Sequence, residues 1–128
     1  MSTENNKSII RRYIEELNRR NESILEELVA DEFRETVRQG YLRNITAFPD
    51  YFVEIMEILA EGDLVAIEWN YRGVHRGVYK GYPPTGKVIS GKAISIYRLK
   101  DRKIIDARGI WDRGELWQQL GLIPGQVI

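Results

Sequence analysis

A chain of 128 residues carries 19 Lys plus Arg against 19 Asp plus Glu, with 43% apolar residues and one histidine. That length suits a single domain, residues 1–128, with a real core, and a formal charge of zero gives no bulk electrostatic case for nucleic acid, which rewards a concentrated basic surface. The lack of cysteine excludes a disulfide framework, a thiol nucleophile and cysteine metal ligands, and a lone histidine excludes a histidine-rich metal centre.

The opening MSTENNKSIIRR is polar and then directly helix-like, without the apolar stretch of a signal peptide. No segment approaches the length of a membrane span. The expectation is a cytoplasmic protein with no membrane partner. Residues 8–20, SIIRRYIEELNRR, set Ile9, Ile10, Tyr13, Ile14 and Leu17 at helical spacing. Asn21 can cap a second helix with Ile24, Leu25, Leu28 and Val29 as its apolar positions. Thr36 with Gln39 resembles a capping box, so a third helix is expected from Thr36 to about Phe48, ended by Pro49. Gly40 weakens that helix, because glycine disfavours helix interiors.

From Tyr51 the pattern changes to a strand, a Gly62-Asp63 turn, and a second strand in which Val65 to Tyr71 alternate. GYPPTGK specifies a turn. It lacks the glycine spacing of a phosphate loop, which argues against nucleotide binding despite its TGK ending. VISGKAISIYRL is a third strand, KDRK a tight turn, IIDARGIWD a fourth strand, and GELWQQLG a short helix. Helices followed by a strand meander imply an α+β cone, with the N-terminal helices packed in the concave face of a curved sheet, mixed or antiparallel. Its open end is a natural ligand cavity.

Alternation puts Arg108, Ile110 and Asp112 on one face of the fourth strand, with Asp106 nearer the turn, and Ala107, Gly109 and Trp111 on the other. Glu68 and Asn70 share one face of the second strand, and Ile67, Trp69 and Tyr71 the other. The pattern does not fix which face turns inward. If the polar face does, Glu68, Asn70, Arg108 and Asp112 form a polar cavity floor, where burial and a nearby arginine set a carboxylate's proton affinity. Asp112 also suits the cap of the last helix, Arg108 a salt bridge, His75 a packing role, and Tyr13 a place in the helix stripe with its hydroxyl reaching the cavity. Trp69, Trp111 and Trp117 are core or interface residues first.

Together, AFPD at 47–50, AEGDLVAIEW at 60–69, GVHRG at 73–77, GYPPTGKVI at 81–89 and WDRGELWQQLG at 111–121 resemble the SnoaL-like polyketide cyclase (ester cyclase) family of the NTF2-like superfamily. The helical N-terminal segment fits the same family. The resemblance implies a cofactor-independent cone, paired through its sheet, that binds an apolar small molecule. It also implies aldol closure of a polyketide ester, with Asp112 in the position of the family's acid/base aspartate. Relatives carry a longer segment before the position of Phe48, so a cavity wall is expected to be shortened. They often have arginine in place of Glu68 and tryptophan in place of Arg108, which suggests a compensating Glu68–Arg108 ion pair. Two alternatives stand beside the cyclase: an epoxide hydrolase that activates water with Arg108, Asp112 and Glu68 or Asp106, and a non-catalytic ligand-binding or structural dimer. Tyr51, Ile55, Trp69, Tyr71, Ile94 and Ile96 are expected to supply the apolar surface of the paired sheet face.

Overall fold

A computed structural model describes residues 2–122. The chain runs α1 (Thr3–Asn18), α2 (Ile24–Leu28), α3 (Asp31–Ala47), β1 (Phe52–Glu61), β2 (Leu64–Val74), β3 (Val88–Lys100), β4 (Lys103–Trp111) and α4 (Arg113–Leu120). The four strands form one sheet in the order β1-β2-β3-β4. Every pairing is antiparallel, and the register shifts between Ile55 and Glu57 in β1 and between Arg98 and Leu99 in β3. Such bulges add bend and twist to a sheet. This is the expected α+β cone, with an antiparallel sheet.

α1 starts six residues before Ile9, the first residue of the apolar stripe that announced it, because Ser2 caps it by accepting the Asn5 backbone N–H at 3.1 Å. Its buried residues, Asn6, Ile9, Ile10 and Tyr13, lie on one face. The end of α1 is tied to β1 twice. Asn18 exchanges a pair of hydrogen bonds with the Val53 backbone at 2.8 and 3.0 Å. Arg20, in the left-handed region at φ 65°, donates to the carbonyls of Pro49 at 2.7 Å and Tyr51 at 2.8 Å.

Asn21 does not cap α2. Its side chain accepts the Ser23 hydroxyl at 2.6 Å, and Ser23 precedes the helix without a side-chain capping bond. Nor does Thr36 begin α3, which starts at Asp31 behind Ala30. The Ala30 N–H donates to the Ile104 carbonyl at 2.9 Å, and Val29 bridges to Ile104, so contact with β4 fixes where α3 begins. Asp31 and Glu32 then complement the positive helix end. Arg34 holds the corner by donating to the carbonyls of Leu25, Glu26 and Val29, and Arg38 pairs with Glu22 and Glu26. Gly40 sits in the interior of this 17-residue helix, a position that costs about 1 kcal/mol relative to alanine.

The inner sheet face is the apolar one. Val65, Ile67 and Tyr71 of β2 and Ile89, Ala93, Tyr97 and Leu99 of β3 are buried there. One core cluster joins these strands to Ile9, Ile10, Tyr13, Ile24, Leu25 and Leu28. A second joins Ala47, Phe48, Tyr71, Tyr79 and Ile89 to Leu116 and Leu120 of α4. Trp69 packs against both clusters. The segment expected to be a shortened wall is thus a continuous helix, α3, that reaches from one cluster to the other.

Candidate functional site

A chamber of about 330 Å³ opens between α1, α3 and the inner sheet face. Ile14 and Leu17 of α1 line it, with Phe33 and Val37 of α3 opposite and Val53, Trp69 and Tyr97 on the sheet. Its polar groups belong to Tyr13, Tyr41, Tyr51, Tyr97, Asn18, Asn44, Arg20 and Thr36, and no carboxylate or imidazole lines it.

The phenols are held neutral. Burial, then the neighbouring Tyr97, raises Tyr13 well above the ordinary tyrosine range. Tyr97 is pushed up to about 12 by burial, with the Ser95 hydroxyl pulling partly the other way. Burial likewise raises Tyr51, reinforced by the other tyrosines around it. The rings of Tyr13 and Tyr97 meet edge to face at 6.0 Å. Trp69 donates its indole N–H to Ser95 Oγ at 2.9 Å, which fixes the plane of the indole in the chamber floor. Tyr51 stacks on Tyr71 at 6.3 Å and Tyr71 meets Trp111 at 6.0 Å, forming an aromatic wall toward β4.

Of the candidate site residues Tyr13, Glu68, Asn70, His75, Arg108, Ile110 and Asp112, only Tyr13 lines this chamber. Glu68, Asn70, Arg108 and Ile110 lie on the outer sheet face, because the register pairs Glu68 with Ile94 and Ile94 with Ile110, while Arg108 pairs with Ile96. The polar cavity floor is therefore not formed: burying the apolar alternation of β2 and β3 is favourable, and it turns the polar residues out. β3 separates Glu68 from Arg108, so the expected ion pair is absent. The nearest carboxylate to Arg108 is Asp106, at 3.7 Å between Nε and Oδ2. Ile55, Trp69 and Tyr71, assigned to the paired outer face, are on the inner face instead, whereas Ile94 and Ile96 are outside.

Asp112 caps α4, its Oδ1 accepting the Glu115 N–H at 2.9 Å. It lines a separate groove of about 720 Å³ with Phe52, Glu54, Asn70, Arg72, Lys92 and Glu115. The Tyr71 hydroxyl reaches toward this side. Burial raises its proton affinity first, and the negative charges of Glu115 and Asp112 add to the effect.

His75 is fully buried beside Phe48, their ring centroids 5.5 Å apart. Its Nδ1 lies 2.9 Å from Thr85 Oγ1 and accepts the Thr85 backbone N–H at 3.2 Å, which puts the ring proton on Nε2. Nε2 is buried without a partner. Burial pushes this imidazole down, offset in part by the Gly77 backbone.

Sequence reasoning missed Tyr51, Tyr97, Asn44 and Arg20 as chamber residues. Tyr97 was within reach, since it alternates in phase with Ala93 and Ser95. Arg20 was not, because its role depends on a left-handed turn. Among the described residues no three His, Asp or Glu side chains gather as a metal site, and no helix is long and apolar enough to cross a membrane.

The profile of the family described as SnoaL-like polyketide cyclase matches residues 7–120. TsrD from Streptomyces laurentii superimposes with a TM-score of 0.88 at 18% identity, covering 96% of this chain and 99% of that one. A SnoaL-like polyketide cyclase from Agrobacterium tumefaciens gives 0.80 at 19% identity, over 94% and 100%. IdmH from Streptomyces antibioticus gives 0.80 at 25% identity, over 91% and 99%. A search of curated proteins found no match. With its helices in the concavity of a curved sheet and the profile matched across nearly its whole length, the chain belongs to the SnoaL-like polyketide cyclase family of NTF2-like folds.

Proposed function

We infer that the protein binds a small, largely apolar, polyketide-like ester in the chamber under α3 and promotes its aldol-type ring closure without a cofactor. The observation that supports this reading best is the chamber itself, an apolar vessel whose wall carries phenols kept protonated by burial. An apolar wall folds a flexible chain so that its reacting carbons meet, which supplies the entropic share of the rate. In the closure, a carbon between two carbonyls loses a proton and bonds to a third carbonyl carbon. The alkoxide so formed takes up a proton, and the product is an isomer of the substrate. A neutral phenol of Tyr13, Tyr51 or Tyr97 donates to the oxygen on which negative charge develops. Asp112, to which the family resemblance assigns the proton transfer, lines the separate outer groove, so for a substrate in the chamber the acidic proton passes to water and water returns a proton to the alkoxide. IdmH, named as a candidate polyketide cyclase, supports ring closure of a polyketide as the kind of reaction, without bearing on its aldol course.

The test is conversion of a linear β-keto ester, followed as a change of retention time at constant mass. Asn at position 112 can still accept the Glu115 N–H, so Asp112→Asn separates proton transfer from capping. For closure in the chamber the expected result is unchanged turnover with an unchanged melting temperature. A rate loss of about 100-fold or more would instead place the reaction in the outer groove, with Asp112 as its acid/base group. Two observations favour a second reading, a non-catalytic small-ligand binder: Asp112 makes a capping bond, and no carboxylate lines the chamber. That reading predicts tight ligand binding with no conversion. Epoxide hydrolysis draws no such support, since Arg108 lies beside Asp106 on the outer face.

A homodimer through the sheet belongs to the same reading. Ile94 is 53% exposed and Ile110 81% exposed as cross-strand neighbours on the outer face, and a contiguous apolar patch of this kind favours a partner.

A further inference from the structure

Six residues of α3 line the chamber: Phe33, Thr36, Val37, Gly40, Tyr41 and Asn44. At about 100° per residue, Gly40 falls near the middle of this stripe, between Phe33 and Thr36 in projection. Three ordinary reasons for a glycine are missing there. It is not among the residues of positive φ. It is not at a helix end, since α3 continues to Ala47. It is not a point of close approach either: a Cβ built on Gly40 meets only Arg43 Nη2, at 3.8 Å, an ordinary contact. Gly77 differs sharply, since its Cβ would fall 1.9 Å from the Thr46 carbonyl oxygen, as does Gly91, whose Cβ would fall 2.6 Å from the Tyr71 hydroxyl. What the missing side chain at position 40 leaves is open volume, in the middle of the wall that faces Trp69 and the phenols.

We propose that Gly40 is a specificity-determining residue: the bare backbone at this point of α3 sets how large a ring system the chamber admits. The ligand class is a flat, neutral, fused-ring or ring-forming ketone, whose face lies along the gap left at Gly40 and whose carbonyl oxygen accepts from a phenol. The proposal deepens the functional reading above and rests on the chamber being the ligand site. Residue 40 touches the ligand without joining the chemistry, so it governs size selection and leaves the proton transfers to other groups.

The test uses the full chain and two neutral ketones, 1-tetralone with two fused rings and 9-fluorenone with three, each titrated against tryptophan fluorescence. Gly40→Ala should melt higher than the wild type, because the helix gains and no packing is lost, and should weaken 9-fluorenone more than 1-tetralone. Gly40→Leu should weaken 9-fluorenone at least tenfold, with a smaller loss for 1-tetralone. Val37→Phe, which fills the chamber from the adjacent turn, should weaken both. If Gly40→Leu melts no lower than the wild type and keeps the wild-type ratio of the two affinities within twofold while Val37→Phe loses both ketones, the size filter is overturned and the chamber stands. If the wild type binds neither ketone, or Val37→Phe changes nothing, the chamber reading fails and the filter with it. A lower melting temperature in Gly40→Ala would show that the glycine serves the backbone, and that too overturns the proposal.

Discussion

The Oδ1 atom of Asp112 accepts the Glu115 N–H in the first turn of α4, so Asp112→Ala should cost about 1 kcal/mol of stability while Asp112→Ser or Asn costs less. Denaturant unfolding of the three variants checks the ordering; equal stabilities would mean that α4 does not depend on its cap. His75 provides a second prediction at this scale. Its buried imidazole binds a proton less readily than in the unfolded chain, so the unfolded state takes up more protons below about pH 6.5. Stability should therefore be complete above that pH and fall as the pH drops from there toward the depressed native value. A proton on Nδ1 also displaces the Thr85 N–H that it accepts. His75→Gln should flatten this part of the stability curve, whatever its cost at pH 8, and parallel curves for the two proteins would refute the assignment. The packing role considered for His75 from sequence matches its complete burial. Its hydrogen bonds to Thr85 could not be read, because they depend on how the proline-containing turn folds back.

At the level of elements, the strands and the Gly62-Asp63 turn were legible because strict alternation and a glycine-bearing turn are local signals. The start of α3 was not legible. Thr36 and Gln39 have the spacing of a capping box, but a backbone bond from Ala30 to Ile104, far along the chain, sets the boundary. The inward face of β2 was open for a similar reason: the apolar face of Val65, Ile67, Trp69 and Tyr71 suits either a core or a paired sheet, and only packing against the helices decides between them. The far end of α3 depends on Gly77. Its N–H and that of Arg76 both donate to the Ala47 carbonyl at 3.0 Å, and an added methyl would collide with the backbone of Thr46. Gly77→Ala should therefore destabilise by about 2 kcal/mol or more, as other overpacked sites do. Thermal unfolding checks this, and a variant as stable as the wild type would mean that the 75–87 loop can move off α3 at little cost.

Across the whole molecule, the outer sheet face and the chamber make separate claims. Pairing through the outer face predicts that Ile110→Lys lowers the mass in sedimentation to that of one chain without lowering the melting temperature of the chain itself. A wild type that already sediments as one chain would contradict it. The family, the cone and a cavity in it were legible from the sequence, whereas the lining of the chamber was not, because it is built from residues of α1, α3 and three strands that meet only in the fold. The central claim is that ligands enter this chamber and not the groove beside Asp112. Amide and indole chemical-shift mapping with 1-tetralone tests it most directly. The account predicts shifts at Tyr13 to Leu17, at Val37 to Asn44 and at the Trp69 indole N–H. Shifts confined to Arg72, Lys92 and Asp112 to Glu115, with the Trp69 indole unmoved, would contradict it and move the functional site to the outer groove.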